Sequence, residues 1–212
     1  MLSTFPTLLP FLLFAFVASI TPGPTNILVL SNSARYGFKA ALPFIFGACI
    51  SAAMIVWLVG SGFGKVLNTY PGTGTATQVI GNVWLTYLSW QIFRAPLDSM
   101  VPTKKPSVQP RQPGLVDAAA LQLINPKTWM MALAVVSVFV PDDNEKSTAL
   151  LQLSVIFFLV ALPCLGAWAV VGAQAGRRLR SPHAQKYFNR AMGILLCGAV
   201  WLPLLMIWTT SL

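Results

Sequence analysis

ITPGPTN, residues 20–26, places two prolines and a glycine inside a long uncharged apolar segment. INPKTW, residues 124–129, interrupts a second apolar segment with a proline and adds a lysine. Proline has no backbone N–H and clashes with the preceding helical turn, so each stretch should bend or break a helix. The sequence therefore predicts two interrupted helices, one in each half of the chain.

The composition is that of an integral membrane protein. Of the 212 residues, 56% are apolar and 9% are charged, whereas soluble domains average about 25% charged residues. Several uncharged stretches reach the ~20 apolar residues that cross a bilayer. The uncharged stretches are 1–34, 40–64, 66–93, 128–141, 147–176 and 191–212. The first lacks the basic start and the small-residue cleavage site of a signal peptide, so we expect a retained helix.

Charges and turn residues divide the chain into six helices. We predict helices at 6–32, 38–61, 76–95, 115–140, 147–174 and 189–210. The longest connection, PLDSMVPTKKPSVQPRQPG at 96–114, is rich in proline, and we expect an extended cytoplasmic linker there. The predicted fold is an all-α integral membrane protein with a single six-helix membrane domain. It consists of two inverted three-helix repeats, 1–95 and 115–212, whose helices 1 and 4 are broken by proline.

Lysine and arginine indicate the orientation, because they accumulate on the cytoplasmic side of membrane proteins. Eleven of the fourteen fall in connections that this topology places on one side: Arg35, Lys39, Arg94, Lys104, Lys105, Arg111, Arg177, Arg178, Arg180, Lys186 and Arg190. We therefore expect a multi-pass protein of the cytoplasmic (inner) membrane with both termini on the outer side. Membrane lipids with anionic headgroups account for the net charge of +9, so no nucleic-acid partner is expected.

The predicted helices 1 and 4 enter the membrane from opposite sides, and each is the first helix of its repeat. Matching interruptions in such an inverted pair are typical of transporters and point to the substrate site. A helix N-terminus favours a carboxylate and a helix C-terminus favours an ammonium group, so the broken ends could bind an amino-acid-like zwitterion. The candidate binding residues are Pro22, Gly23, Pro24, Asn26, Asn125, Pro126 and Lys127.

Lys127 lies within a predicted span, where a lysine costs about 2.5–3.5 kcal/mol. Its side chain is too short to reach the cytoplasmic surface about ten residues away, so we expect it to face inward and contact a carboxylate, free carbonyls or water. We hypothesise that Lys127 attracts the substrate carboxylate or releases a proton during transport. Asp117, near the start of span 4, is the second proton-coupling candidate, although an acidic residue there also stabilises a helix N-terminus.

The other polar residues within the spans have two interpretations. Asn26 and Asn125 are interpreted as part of the substrate site, because each lies at a break. Asn82 and Gln122 could line a transport route, but they could equally form hydrogen bonds to neighbouring helices. The sequence leaves this choice open.

Four blocks of the sequence resemble the lysine exporter (LysE) family, in its homoserine/threonine exporter branch. They are TPGPTNILVLSNSARYGFKAALP, GNVWLTYLSWQIFRAP, DAAALQLINPKTWMMA and FNRAMGILLCGAVWL. The resemblance implies a small inner-membrane exporter of amino acids or their derivatives that works as a proton antiporter and forms homo-oligomers. It places the family's functional positions on the seven candidate residues of the two breaks. Thr25 departs from the family, which has a second asparagine there, and Asn82 replaces a small residue.

Two other functional classes were weighed against an exporter. A channel or metal-ion exporter should present acids, His or Cys ligands within its spans, and the sequence has few; Cys49, Cys164 and Cys197 are dispersed in apolar segments. An intramembrane enzyme would need a nucleophile with a paired base or a metal site, and no such arrangement is visible. We therefore expect a secondary transporter that is not an enzyme and uses no metal or cofactor, with an ion or metal exporter of the same membrane as the alternative.

Overall fold

A computed structural model describes residues 5–63, 73–94, 112–141, 146–178 and 181–210. The regular structure in these ranges is entirely helical, which agrees with the predicted all-α class. The elements are α1 (Phe5–Ile20), α2 (Pro24–Tyr36), α3 (Phe38–Leu58), a π-helical segment (Val59–Phe63), α4 (Thr73–Phe93), α5 (Leu115–Ile124), α6 (Pro126–Phe139), α7 (Lys146–Arg178) and α8 (Pro182–Thr210). Most of the predicted linker at 96–114 lies outside the described residues.

Both predicted helix interruptions are present. The chain bends by 54° between α1 and α2, across residues 21–23. Asn125 separates α5 from α6 and has an extended backbone with φ −83° and ψ 107°. Pro24 and Pro126 each take the first position of the following helix, where the missing N–H leaves no helical hydrogen bond unmade. The prolines therefore end one half-helix and start the next.

Several helix boundaries differ from the prediction; for example, α2 ends at Tyr36 rather than at 32, and α7 ends at Arg178 rather than at 174. The predicted sixth helix begins at Pro182 rather than at 189, because this proline starts a helix instead of ending the connection. The predicted third helix begins at Thr73 rather than at 76. Residues 59–63, predicted to finish the second helix, form a π-helical segment in which Gly62 has φ 114°, a conformation that favours glycine.

The outer surface of the helices is apolar. Exposed large apolar residues occur on every described helix except α2, for example Leu13, Met54, Val138, Leu159 and Ile194, and an apolar exterior of this extent is expected where a protein faces lipid. Among the described residues, Phe38–Phe63 and Lys146–Arg178 are each long and apolar enough to cross a bilayer, and the bent pair α1 and α2 makes a third such segment. The arrangement of six spans remains a prediction.

α7 forms the centre of the helix packing together with α3. It packs against α1, α2 and α3, while α3 also packs against α5, and α4 packs against α8. The contact between α7 and α2 is close because Gly172 lies directly on the Leu30 carbonyl and the Ser33 hydroxyl, where any Cβ would overlap both. Gly176 lies on the Ala34 carbonyl in the same way. Small residues thus allow the backbones of α2 and α7 to approach, as is common between membrane helices.

Of the three apolar clusters among the described residues, two lie at different heights along α3 and α7. The Phe11 cluster consists of Phe11, Ala15, Ala52, Ile55, Val56, Val59, Ala132, Val135, Leu150 and Phe157. The Phe44 cluster consists of Val29, Ala41, Phe44, Ile45, Ala48, Cys49, Leu85, Ala118, Leu121, Ala161, Leu165, Ala169 and Val200. In the Phe11 cluster the ring of Phe11 packs edge-on against that of Phe139, with 5.3 Å between the ring centres. The two helix breaks lie between these clusters.

Candidate functional site

The two interrupted helices meet at their breaks. The Lys127 ammonium group, in the first turn of α6, donates a 2.8 Å hydrogen bond to the Thr21 carbonyl between α1 and α2. The Asn125 side chain donates a 3.0 Å hydrogen bond to the hydroxyl of Thr25 in α2. The breaks are therefore in direct contact, and Lys127 contacts a backbone carbonyl, which is one of the partners expected from the sequence.

The carbonyls of the last two residues of α1 and of Thr21, which follows it, accept hydrogen bonds from side chains of three other helices. The bonds run from Asn26 Nδ2 to the Ser19 oxygen (2.8 Å), from Trp168 Nε1 to the Ile20 oxygen (3.0 Å) and from Lys127 Nζ to the Thr21 oxygen (2.8 Å). At the end of α5, Trp129 Nε1 donates to the Leu123 oxygen at 2.8 Å. A side-chain donor therefore meets each of these four carbonyls, including the carbonyl that Lys127 contacts. An unpaired backbone acceptor in an apolar environment costs several kcal/mol, so the fold supplies a donor for each.

The N-terminal ends of α2 and α6 are capped differently. At α6 the Asn125 side chain accepts a 3.1 Å hydrogen bond from the Lys127 amide. At α2 the cap position is Gly23, which has no side chain to offer. The Lys127 side chain covers this glycine instead, so that a Cβ on Gly23 would lie 3.0 Å from Lys127 Cδ and 3.1 Å from Nζ. A helix N-terminus and an ammonium group thus come together at Gly23, which favours binding of an anion there.

Gln122, in the last turn of α5, is the centre of a buried hydrogen-bond network. Its Oε1 accepts from the Thr25 hydroxyl (3.0 Å), the Thr128 hydroxyl (2.9 Å) and Asn125 Nδ2 (3.3 Å). Its Nε2 donates a 3.0 Å bond to the Ala48 carbonyl of α3. One side chain therefore connects α2, α3, α5 and α6, and it is 5% exposed. Gln122 therefore bonds to neighbouring helices, and it also lines the cavity described next, so the structure does not decide between its two interpretations.

A cavity of about 40 Å³ lies beside this network. It is lined by Ala18, Ser19, Thr25, Asn26, Ala48, Cys49, Ala52, Gln122, Asn125, Lys127, Thr128, Met131, Phe157, Ala161 and Leu165. Its apolar lining comes from both apolar clusters, so the cavity lies between them. A cavity of this size holds water, whereas small-molecule sites usually measure about 300–1,000 Å³. In this conformation the cavity is therefore too small to hold an amino acid.

The candidate residues of the sequence fall into three groups around the cavity. Asn26, Asn125 and Lys127 line it directly. Gly23 and Pro24 are buried at the start of α2, Pro126 is half-buried at the start of α6, and Pro22 is exposed. The prolines and Gly23 therefore shape the backbone of the breaks, while the two asparagines and the lysine provide the polar groups.

Asp117 and Asn82 lie away from the cavity. The Asp117 carboxylate accepts a 2.7 Å hydrogen bond from the Gly114 amide at the start of α5, where a negative charge stabilises the helix N-terminus. Asn82 is buried in α4, and its Oδ1 has no hydrogen-bond partner. The neighbouring Gly81 lies directly on the Ile124 carbonyl, so α4 packs closely against the second break.

Sequence reasoning missed three hydroxyl-bearing residues of the cavity lining: Ser19, Thr25 and Thr128. For Thr128 a signal was present, because Gln122, Asn125 and Thr128 follow one another at a spacing of three, which places polar side chains on one helical face. Thr25 had been noted only as a departure from the family pattern. Within the described ranges, no group of three or more His, Cys, Asp or Glu side chains could hold a metal ion.

A family model described as LysE type translocator matches residues 16–202, a range that contains both breaks and the whole cavity. The chain belongs to the LysE translocator family. The predicted family is thereby confirmed, and LysE members are membrane transporters rather than enzymes. The last turn of α1, from residue 16, and all of α2–α7 lie within the matched range, so the site just described belongs to the family domain.

The relatives of this LysE chain cover nearly its whole length. It is 28% identical to an uncharacterized membrane protein of Vibrio cholerae over 193 residues, which are 90% of this chain and 92% of the relative. It is 25% identical over 195 residues to the cysteine/O-acetylserine efflux proteins of Escherichia coli K12 and Shigella sonnei, which are 91% of this chain and 96% of each relative. No solved structure gives a significant match.

Proposed function

We propose that this LysE-family chain exports amino acids or amino-acid derivatives across the cytoplasmic membrane as a secondary transporter. The observation that supports this most strongly is the contact between two helix breaks at a small cavity that is lined by Asn26, Asn125 and the Lys127 side chain. Helix ends of both polarities are present there, so both charged groups of a zwitterion find partners. The match to proteins named as cysteine/O-acetylserine efflux proteins favours the same substrate class.

The substrate carboxylate binds at the N-terminus of α2 in this proposal. Gly23 leaves that end without a side-chain cap, and the Lys127 ammonium group lies beside it. The substrate ammonium group binds at the C-terminal end of α1, where each carbonyl oxygen has a second lone pair besides the one already bonded. Asn26 and Asn125, which line the cavity, hold the helix ends in position.

The helix contacts support two inverted three-helix repeats, of residues 1–95 and 115–212, within a single six-span domain. In these repeats α1 and α2 correspond to α5 and α6, and α3 corresponds to α7. Each contact between a broken helix and α7 should therefore have a counterpart between the other broken helix and α3. α1 and α2 both pack on α7, and α5 and α6 both pack on α3. This reciprocal pattern is what a two-fold axis between the halves requires, and transporters with inverted repeats bind substrate at such an interface.

The proposed orientation places both termini outside the cytoplasmic membrane. Of the described basic residues, Arg35 and Lys39 lie where α2 meets α3, Arg94 follows α4, and Arg177 lies at the end of α7. Alternating helix directions would bring these positions to one side, which the distribution of basic residues assigns to the cytoplasm. The family resemblance adds a homo-oligomer to the proposal, and mass measurement of the detergent-solubilised protein checks it.

Proton antiport is the proposed driving reaction, with Lys127 and Asp117 as the two candidate proton carriers. Lys127 lies on the cavity, so loss of its proton would weaken its bond to the Thr21 carbonyl and its attraction for a carboxylate at Gly23. Asp117 caps α5 and does not line the cavity. The geometry therefore favours Lys127 over Asp117.

Counterflow in proteoliposomes tests the proposed function. Purified protein is reconstituted with one unlabelled amino acid inside, and the uptake of labelled amino acids is measured across a panel, with and without a pH gradient. We expect exchange of at least one amino acid or derivative, accelerated by the gradient. Exchange of none of them, in protein that is monodisperse and folded, would remove the proposal.

A further inference from the structure

The cavity has two unlike walls. On one side lie the polar residues of the breaks, among them Asn26, Asn125 and Lys127. On the other side α3 and α7 present Ala48, Ala52 and other apolar side chains. In the proposed function the charged groups of the substrate bind to the polar wall, so the substrate side chain must face α3 and α7.

The apolar wall has a notch at Ala161. Phe157, Ala161 and Leu165 follow at a spacing of four and therefore lie on one face of α7, with the smallest side chain in the middle. Ala52 on α3 lines the cavity opposite to the breaks as well, and Ala52 and Ala161 are both 4% exposed. Both alanine methyl groups are thus buried on the lining of the cavity that adjoins the breaks.

One polar group of the cavity lining has no hydrogen-bond partner in this structure. The Ser19 hydroxyl lines the cavity, is buried at 8% exposure, and is the one buried side-chain polar atom among the described lining residues without a hydrogen-bond partner. An unpaired buried hydroxyl costs about 1–3 kcal/mol. It is therefore available to a polar atom of a ligand that enters the space beside it.

The charges on the lining restrict the ligand further. Among the described residues that line the cavity, Lys127 carries a charge and none is a carboxylate. A second ammonium group on the substrate side chain would be desolvated without a counter-ion, and a second carboxylate would face an apolar wall. Either would be strongly disfavoured relative to an uncharged side chain.

We infer that the substrates are amino acids or derivatives with short, uncharged side chains, and that Ala52 and Ala161 set the upper limit of side-chain size. The inference rests on the proposed function. The family is named after lysine export, whereas this inference excludes lysine and arginine as substrates of this chain. The Ser19 hydroxyl accepts or donates a hydrogen bond to the bound molecule.

Counterflow with a graded panel tests this inference. The panel contains alanine, serine, cysteine, threonine, leucine, lysine and glutamate. In the wild-type protein we expect the short uncharged members to exchange at least about tenfold faster than lysine and glutamate. Lysine or glutamate exchanging as fast as serine would overturn the inference while leaving the proposed function intact. Exchange of no amino acid at all would overturn both.

Substitutions of Ala161 and Ala52 test the proposed limit on the size of the substrate side chain. Ala161→Val and Ala52→Val should reduce exchange of the longest accepted substrate by about tenfold relative to alanine, because one added methylene already changes discrimination by that order. Ala53→Val on α3 and Ala167→Val on α7 are the matched controls, since neither residue lines the cavity. A reduction of all substrates by the same factor, or equal effects in the controls, would overturn the role of the notch.

Ala161→Gly tests the same size limit if the Ala161→Val and Ala52→Val proteins do not fold. It widens the notch by one methyl group without adding volume, and we expect exchange of leucine relative to alanine to increase. An unchanged ranking in a folded Ala161→Gly protein would contradict the inference. Ser19→Ala should reduce exchange of serine and cysteine more than that of alanine, and the opposite order would remove Ser19 from the site.

Discussion

The Lys127 ammonium group donates a 2.8 Å hydrogen bond to the carbonyl oxygen of Thr21, which lies 106 residues earlier in the chain. This bond joins the start of α6 to the C-terminal end of α1, the end of a helix that favours positive charge. The same side chain covers Gly23 at the start of α2. Lys127 therefore contacts both ends of the first break at once.

Replacement of Lys127 by methionine should abolish most transport and leave the protein folded. In the proposed function the variant loses a charge-assisted hydrogen bond to the substrate carboxylate, worth about 1.5–3 kcal/mol, which corresponds to a reduction of about 10- to 100-fold in substrate exchange. The lost bond to the Thr21 carbonyl is offset by removal of a charge that is costly to desolvate, so we expect little change in thermal stability. Lys39→Met, at an exposed lysine near the start of α3, is the control. Normal exchange by Lys127→Met would remove Lys127 from the substrate site.

Replacement of Gly23 by alanine should impair transport through Lys127. The added Cβ would lie 3.0 Å from Lys127 Cδ, so the flexible lysine side chain must move away from the break. Because only a side chain is displaced, we expect nearly unchanged thermal stability and reduced exchange. Gly166→Ala is the matched control, since nothing lies within 4 Å of a Cβ there. Equal exchange by the two variants would show that the contact with Gly23 is dispensable.

Replacement of Gln122 by leucine should destabilise the protein. It keeps the approximate size of the side chain and removes the acceptor of Thr25, Thr128 and Asn125 together with the donor to Ala48. Unsatisfied buried groups cost about 1–3 kcal/mol each in soluble proteins, and hydrogen bonds between membrane helices average about 0.6 kcal/mol. We expect a lower midpoint of thermal unfolding in detergent than for Gln152→Leu, which changes an exposed glutamine of α7. Indistinguishable midpoints would contradict the network's structural role.

The two candidate proton carriers can be separated by one measurement. Asp117→Asn should retain transport driven by a pH gradient, because Asp117 caps α5 and does not line the cavity. Asparagine still accepts the amide hydrogen bond, so the stability loss should stay below about 1 kcal/mol. Uptake by Asp117→Asn that exchanges substrate but no longer responds to the gradient would identify Asp117 as the carrier.

The breaks and their contact could be predicted from the sequence. Pro24 and Pro126 act through the backbone of their own helix, so a local pattern is sufficient to place them. The contact of Lys127 with the interior of the protein was also predictable, because a charge deep in an apolar segment needs an inward partner. The start of α8 at Pro182 was missed, since a proline both ends and begins helices and the sequence alone did not decide between these uses.

The partners of the freed carbonyls could not be predicted. Trp168 reaches the Ile20 carbonyl across 148 residues of chain, and Gln122 reaches the Ala48 carbonyl across 74. Such pairs depend on how α7, α3 and α5 cross, and no periodic pattern along one helix contains that information. Helix formation is local, whereas the choice of hydrogen-bond partner is made by packing.

The Phe11 and Phe44 clusters place packed apolar side chains on both sides of the cavity along α3 and α7. Apolar side chains offer water no hydrogen bonds, so a continuous file of water molecules, along which protons could hop, is disfavoured in both clusters. A cell can keep many idle copies of such a protein in its membrane without short-circuiting the ion gradients on which its energy supply depends.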